Sequence, residues 1–332
     1  MLSKADVVAR YLPKSLAVAS SATAFAPSNI ALCKYWGKRD NALNLPVNSS
    51  LSISLGHLGT QTQLRLSETG EDHVSLNGQA QPLDAPFAAK ALAFWDLFRR
   101  DQVLPIEIDT TNTIPTAAGL ASSASGFAAL TKAINEFAHL DLPVEVLSAF
   151  ARMGSGSACR SLFNGFVEWE MGQLTDGMDS HGVPLDISWP TLRIGLVKVE
   201  TGEKAVDSRS GMKRTVETAH LYQSWPMQAA VDLEKLHRAI AARDFNGLGA
   251  TAEQNALSMH ATMIASWPPL LYWQPGSVAA MQTVWSLREQ GIPVYLTMDA
   301  GPNLKLLFET DHQNAISAAF PDMEVVAPFG IA

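Results

Sequence analysis

Four short stretches of the chain carry side chains able to do chemistry, each set among small residues that let a ligand come close. The first, Asn29-Ile-Ala-Leu-Cys-Lys34-Tyr35-Trp36-Gly37-Lys38-Arg39-Asp40, places three cations within six residues around a Trp-Gly turn. It reads either as a pocket for a multiply charged anion, with lysines as point charges, or as a basic loop packed by aromatics. The second, Pro115-Thr-Ala-Ala118-Gly119-Leu120-Ala121-Ser122-Ser123-Ala-Ser125-Gly126, runs straight into a helical pattern. Its small residues permit close backbone approach, and a helix start offers unpaired N–H groups to phosphates. Hydroxyls of Ser122 and Ser123 can reach phosphate or magnesium, although similar runs also occur where helices pack closely.

The third stretch is Gly154-Ser155-Gly156-Ser157-Ala158-Cys159-Arg160-Ser161. It looks superficially like a dinucleotide fingerprint, but Cys159 stands where the last glycine belongs and no strand precedes it. It reads as a flexible turn with two hydroxyls and a guanidinium whose planar fork matches a carboxylate. The fourth, Met298-Asp299-Ala300-Gly301-Pro302-Asn303, lies between two apolar strands and reads first as a turn former. The chain contains neither a Walker-type Gly-x4-Gly-Lys-Ser/Thr pattern nor the protein-kinase signatures, so a bound ATP uses another architecture.

The elements that must position these stretches are mixed. Alternation predicts strands at Gln63–Ser67, at Val74–Leu76 ending on the turn Asn77-Gly78, and at Phe166–Glu170. Phe127, Leu130, Ile134 and Phe137 recur at helical spacing, and Asp141 with Pro143 opens a further helix. Beyond Pro190 come a strand at Leu192–Val199, helices at Ala229–Arg243 and Ser277–Gln290, and strands at Val294–Met298 and Leu304–Phe308. Strands and helices that do not strictly alternate argue for an α+β fold. A domain boundary near residue 193 gives an N-terminal domain, 1–193, and a C-terminal domain, 194–332.

The chain has 332 residues, 47% hydrophobic and 17% charged, enough for two cores. A net charge of −8 gives no basic surface for nucleic acid, so an anionic substrate must be held by a few placed cations. Two cysteines, Cys33 and Cys159, build no disulfide framework, which fits a reducing cytosol. No apolar run approaches a membrane span. The start, Met1 to Ala26, reads as a short arm before the first strand rather than a secretion signal.

Taken together, the four stretches resemble the mevalonate diphosphate decarboxylases, within the superfamily of galactokinase, homoserine kinase, mevalonate kinase and phosphomevalonate kinase. Ser208-Arg-Ser-Gly-Met212, Thr215-Val-Glu-Thr218 and Met259-His-Ala-Thr262 match as well, so the resemblance covers roughly residues 22 to 310 in order. It implies the two-domain small-molecule-kinase superfamily fold. The N-terminal domain would be ATP-binding and ribosomal-protein-S5-like, with a left-handed crossover. The C-terminal domain would be ferredoxin-like and carry the catalytic Asp.

The implied activity is ATP-dependent decarboxylation of (R)-5-diphosphomevalonate to isopentenyl diphosphate, CO2, ADP and phosphate. It would run through a 3-phosphorylated intermediate. A mevalonate 5-phosphate decarboxylase and a pure small-molecule kinase of the superfamily are the alternatives. ATP is the implied co-substrate, and magnesium arrives on ATP, touching at most Ser122 or Ser123.

The resemblance also implies roles. Asp299 is the catalytic carboxylate, with Lys34 and Asn29 close to the reacting alcohol and Arg160 on the C1 carboxylate. Tyr35, Lys38, Ser155, Ser157, Ser208 and Arg209 hold the diphosphate or neighbouring oxygens. Trp36 and Gly37 shape the loop, and Gly156, Ala158 and Cys159 belong to the same substrate-binding run. Ala118, Gly119, Leu120, Ala121, Ser122, Ser123 and Ser125 form the ATP loop. A cytoplasmic homodimer is the expected assembly. In one departure, Glu71-Asp72-His73 stands where some relatives carry an Arg that touches substrate.

Overall fold

The structure, a computed structural model, describes residues 2–113, 122–200 and 206–330. In chain order the N-terminal part comprises α1 (Lys4–Ala9), β1 (Ser21–Cys33), β2 (Lys38–Asp40), β3 (Leu45–Pro46), β4 (Ser50–Leu66), β5 (His73–Leu76), β6 (Gln79–Ala80), α2 (Pro86–Arg99), β7 (Ile106–Asn112), α3 (Ser122–Phe137) and α4 (Val144–Gly154). A 3-10 helix, Gly156–Leu162, and strands β8 (Phe166–Trp169) and β9 (Gly182–Pro184) complete it. Then follow β10 (Leu192–Val197), α5 (Ser208–Thr218), α6 (Trp225–Ala242), α7 (Phe245–Ile264), α8 (Pro275–Glu289), β11 (Tyr295–Met298), β12 (Leu304–Glu309), α9 (Gln313–Ala319) and β13 (Glu324–Val326).

The long strand β4 is the axis of a seven-stranded sheet. One of its edges pairs antiparallel with β1, from Ser21 against Arg65 to Cys33 against Leu51. The other edge pairs with β8 over Ser50–Ile53 and with β7 over Thr60–Leu66. Strand periodicity then sorts the side chains: Leu51, Ile53 and Leu55 enter one core, while Ser50, Ser52 and Ser54 face the opposite side. The small serines leave room for the 3-10 helix to lie against the sheet.

The smaller sheet has the order β11-β12-β10-β13, antiparallel throughout, with helices inserted after β10 and after β12. That is the β-α-β-β-α-β pattern of a ferredoxin-like unit. Leu304, Leu306 and Phe308 of β12 bury against α8, whereas Leu307 points the other way. There it joins Ile30, Leu32, Leu51 and Ile53 of the larger sheet together with Trp225, Leu248 and Met259 of α6 and α7. One apolar core therefore spans both sheets and fixes their separation.

Two expectations change. The N-terminal arm contains a helix, α1, closed by a Ser3–Asp6 capping box, and Val7 and Val8 are fully buried in a cluster with Leu43 and Leu45. The stretch after α4, expected to be a flexible turn, is instead the 3-10 helix, with Ala158, Cys159, Arg160, Ser161 and Leu162 all buried. Among the described residues no helix is long and apolar enough to cross a membrane.

Candidate active site

A cleft of about 540 Å3 opens between the end of β1, the start of α3, the 3-10 helix, the start of α5 and the β11–β12 turn. It collects Asn29, Lys34, Tyr35, Trp36, Lys38, Ser123, Ser155, Gly156, Ser157, Arg160, Ser208, Arg209 and Asp299 from all the motif stretches.

Asp299 follows β11, where the chain turns through Gly301 and Pro302 into β12. Its Oδ1 accepts a hydrogen bond from Lys34 Nζ at 2.9 Å, and Lys305 Nζ lies 3.4 Å from its Oδ2. Lys34 Nζ also donates to the Ala31 carbonyl at 2.8 Å, and its backbone N–H donates to Asn255 Oδ1 of α7. Burial pulls the Lys34 ammonium below its usual range, while the Asp299 charge and hydrogen bond oppose that shift. His260 of α7 sits behind the turn, with Nε2 3.1 Å from the Asp299 carbonyl. Burial first, and the charge of Lys34 second, lower its pKa to about 4, so it is neutral near pH 7 and Nε2–H can donate to that carbonyl.

Arg160 is held from the 3-10 helix by two neighbours. Its Nη1 donates to Ser50 Oγ, and its Nε and Nη2 donate to Asn29 Oδ1, each at 3.3 Å. Asn29 is oriented in turn by donating Nδ2 to Ser161 Oγ at 2.7 Å and to the Ser157 carbonyl at 3.3 Å. The guanidinium lies 5.8 Å from the centroid of the Trp169 ring and is almost wholly removed from solvent. Burial lowers its pKa, and Asp299 lies within Coulombic reach.

At the opposite end, Lys38 Nζ donates to Asn44 Oδ1 at 2.7 Å, and Asn44 is pinned by donating to the Arg152 and Met153 carbonyls. Desolvation, then the charges of Arg209 and Lys4, lower the Lys38 pKa to about 8. The buried Tyr35 hydroxyl has no hydrogen-bond partner among the described residues, a costly state that a ligand oxygen would relieve. Gly156 lies so close to the Tyr35 and Trp169 rings that an added Cβ would stand 3.0 Å from each. Ser208 and Arg209 sit in the first turn of α5, which Asp207 caps by accepting from the N–H groups of Arg209 and Ser210.

Several expected contacts go elsewhere. Arg39 points outward and donates to the Met171 and Gly172 carbonyls. Gly37 does not line the cleft; it takes φ +119°, and an added Cβ would lie 1.7 Å from the Tyr222 hydroxyl, which donates to the Trp36 carbonyl. Ala158 and Cys159 are buried, with the Cys159 thiol directed at the Gly156 carbonyl and pushed up to about 12 by burial. Ser123 faces the cleft, its hydroxyl 3.3 Å from that of Ser155. Ser125 does not: it is fully buried among Ser28 and Thr60, because two helical residues turn a side chain to the far side. Ala118, Gly119, Leu120 and Ala121 lie outside the described residues, as does the side chain of Ser122.

The acidic stretch Glu71-Asp72-His73 is remote from the cleft. Asp72 takes a two-pronged hydrogen bond from Arg99 at 2.7 Å on each arm, at the C-terminal end of α2.

Sequence reasoning missed Lys305, His260, Asn255 and Lys90. Lys90 of α2 lines the cleft and also an adjoining apolar cavity of about 250 Å3, walled by Leu76, Phe87, Ile108, Phe127 and Leu130. A charged residue inside the apolar run Leu304-Lys-Leu-Leu-Phe308 was the available signal for Lys305.

An α+β sheet joined to a ferredoxin-like unit, with a cation-rich cleft on the seam, defines a two-domain protein of the small-molecule-kinase superfamily. Comparison with known proteins narrows this. Residues 26–182 match the diphosphomevalonate decarboxylase-like N-terminal domain, and residues 195–326 match the mevalonate 5-diphosphate decarboxylase C-terminal domain. The chain is 39% identical to the diphosphomevalonate decarboxylase of Candida albicans over 313 residues, covering 89% of this chain and 86% of that one. It is similar to the solved mevalonate diphosphate decarboxylase of Staphylococcus aureus, with a TM-score of 0.86 and 38% identity over 93% and 95% of the two chains. A structure named as MDDEF in complex with MVAPP, AMPPCP and magnesium gives a TM-score of 0.85 at 41% identity, over 93% and 97%. The chain belongs to the diphosphomevalonate decarboxylase family.

Proposed function

We propose that this protein catalyses the ATP-dependent decarboxylation of (R)-5-diphosphomevalonate to isopentenyl diphosphate, CO2, ADP and phosphate. The observation that carries the reading is the facing of the Lys34–Asp299 pair and the Arg160 fork across one cleft. A carboxylate beside the nucleophile suits phosphorylation of an alcohol, and a guanidinium on the substrate carboxylate suits an oriented loss of CO2. A kinase that stopped at phosphorylation would have no use for the second group.

The tertiary C3 hydroxyl donates a hydrogen bond to Asp299, which orients it towards the γ-phosphoryl group and takes its proton as the new P–O bond forms. Lys34 neutralises part of the carboxylate charge and holds it in place. Departure of the C3 phosphate leaves positive character at C3. Electrons of the C1–C2 bond then form the alkene as CO2 leaves, and Arg160, held by Asn29 and Ser50, keeps the carboxylate in the required plane. Tyr35, Lys38, Ser155, Ser157, Ser208 and Arg209 hold the diphosphate end.

Ser123 serves the ATP phosphates, and the adjoining apolar cavity takes the base, since such cavities suit flat apolar rings. Magnesium bound on the triphosphate supplies charge neutralisation for the transferred group, and the hard oxygen donors at the mouth, the Ser123 and Ser155 hydroxyls, suit it. The ligands named with MDDEF support this assignment.

The same reading divides the chain near residue 193, just inside β10, into an ATP-binding domain and a domain carrying Asp299. The separate family matches on either side support that division. It also places the protein in the cytosol as a homodimer. Two free, buried cysteines are in keeping with a reducing compartment, and exposed Leu221, Met227 and Val231 at α6 give apolar surface for a second copy. The deciding experiment uses substrate labelled at C1: gas must be released only when ATP is present, in step with ADP. Release without ATP, or ADP formation without gas, removes the proposal.

A further inference from the structure

We infer that Lys305 is a positioning residue for this reaction: its buried ammonium faces Asp299 Oδ2 at 3.4 Å while Lys34 holds Oδ1 at 2.9 Å, so that the two lysines clamp the carboxylate as an anion in one orientation. The inference rests on the reading of Asp299 as the group that accepts the alcohol's hydrogen bond.

The fold gives Lys305 this place. It lies on β12, an interior strand of the smaller sheet, and is paired across to Thr297 of β11. Its neighbours Leu304 and Leu306 face α8, so alternation sends Lys305 to the opposite face, with Leu307, towards the larger sheet. Thr297 on that face reaches the same Ala31 carbonyl that Lys34 binds. Only 2% of the Lys305 side chain is exposed. An ammonium that deep is costly unless paired, and an apolar side chain would fill an interior strand more cheaply. Lys305 is also missing from the cleft lining, so its influence on the reaction passes through Asp299.

Among the described residues, the groups around Asp299 come from four elements. Lys34 follows β1 and Lys305 comes from β12, while His260 of α7 meets the Asp299 carbonyl and Arg160 of the 3-10 helix lies within Coulombic reach. His260 is neutral, so among the described residues two lysines contact the carboxylate and a third cation, Arg160, lies within Coulombic reach. That surplus of positive charge suits a site entered by two anions, the substrate carboxylate and a phosphoryl group. Asp299 is thereby kept anionic and correctly turned while its surroundings await negative charge.

The test compares Lys305→Met, Lys305→Arg and Asp299→Asn in the full-length protein. It follows ADP release with the 5-diphosphate substrate from about pH 5 to 9, alongside thermal melting. Removing the ammonium makes the Asp299 charge harder to hold, so Lys305→Met moves the acidic limb of kcat up by about one pH unit. Lys305→Arg returns the limb to the wild-type position. A merely structural lysine predicts a lower melting temperature with the limb unmoved, and that result overturns the inference. Should the methionine variant not fold, Lys305→Gln carries the same comparison. If Asp299→Asn keeps more than about a third of turnover, the reading of Asp299 itself has failed, a result separate from the behaviour of the limb.

Discussion

Lys34 Nζ stands 2.9 Å from Asp299 Oδ1 although the two residues are 265 positions apart. The contact joins the end of β1 in the larger sheet to the end of β11 in the smaller one, so it exists only when both sheets meet the common core. Asp299→Asn preserves the shape but removes the proton acceptor and one of the two oxygens that the lysines face. It is expected to leave ATP and substrate binding nearly intact while turnover falls by about a hundredfold or more, the scale for losing a positioned base. Steady-state kinetics with binding measured in parallel decide this, and turnover above about a third of wild type would reduce Asp299 to a turn residue.

Arg160→Lys is expected to do more damage than its conserved charge suggests. Asn29 Oδ1 and the Ser50 hydroxyl hold a planar fork, which an ammonium cannot reproduce. CO2 release falls further than ADP formation, because only the second chemical step needs the carboxylate in a fixed plane. Equal and small losses in both products would remove this role from Arg160.

The sequence carried more of the parts than of their arrangement. The strands at Gln63–Ser67 and Leu304–Phe308 and the helix through Phe127–Phe137 were legible because apolar side chains recur there at period two or at helical spacing. Strand β1 was not, since Ser21-Ala-Thr-Ala and Pro27-Ser-Asn alternate weakly, and its pairing with β4 decides the matter. Helix α7 was hidden for a related reason. It opens Phe245-Asn-Gly-Leu-Gly and is buried on more than one side, so no single apolar stripe marks it. The motif stretches named the cleft residues, yet sequence order could not say that Ser123 and Ser125 face opposite ways, or that Arg39 turns out while Lys38 turns in. Lys305 and His260 lay outside the motif stretches used for role assignment, and only the fold brings them to Asp299.

The two serines of α3 give a paired prediction. Ser123→Ala removes a hydroxyl at the cleft and is expected to raise the ATP requirement or slow phosphoryl transfer, through one lost contact of about 1–2 kcal/mol. Ser125→Ala strips a buried hydroxyl network with Ser28 and Thr60, and is expected to lower the melting temperature while leaving the KM for ATP unchanged. If Ser125→Ala alters the ATP requirement and Ser123→Ala does not, the helix register at the cleft is wrong.

Lys38 makes the pH dependence of substrate capture specific. Its pKa is lowered to about 8 by burial and by nearby cations, so in the free enzyme it is charged below that value and loses its proton as pH rises through it. The group is depressed relative to its unfolded value, so its charge penalises folding at low pH. The penalty is relieved as pH rises from about 8 towards the unfolded value of 10.5. Substrate affinity runs the opposite way, since a diphosphate prefers the charged lysine. kcat/KM for the diphosphate substrate should therefore fall above about pH 8, while Lys38→Met should start lower and show no limb there. An unchanged limb in the methionine variant would assign it to another group.

The diphosphate itself should be distinguished from a monophosphate by the far end of the cleft. Tyr35, Lys38, Ser155, Ser157, Ser208 and Arg209 converge there, more donors than one phosphate can occupy. Arg39, with its guanidinium bound to the Met171 and Gly172 carbonyls, takes no part. Glu71-Asp72-His73 does not line the cleft, and Asp72 is engaged by Arg99 at the C-terminal end of α2. With the terminal phosphate missing, the buried Tyr35 hydroxyl and Lys38 lose partners, at about 1–3 kcal/mol for each buried donor left unpaired. Since about 1.4 kcal/mol corresponds to a factor of ten, the 5-diphosphate is expected to exceed the 5-monophosphate by at least about tenfold in kcat/KM. Tyr35→Phe should narrow that ratio by removing the hydroxyl that has no partner among the described residues. Side-by-side kinetics coupled to ADP release provide the measurement. Equal efficiencies for the two substrates would place the diphosphate-binding donors elsewhere.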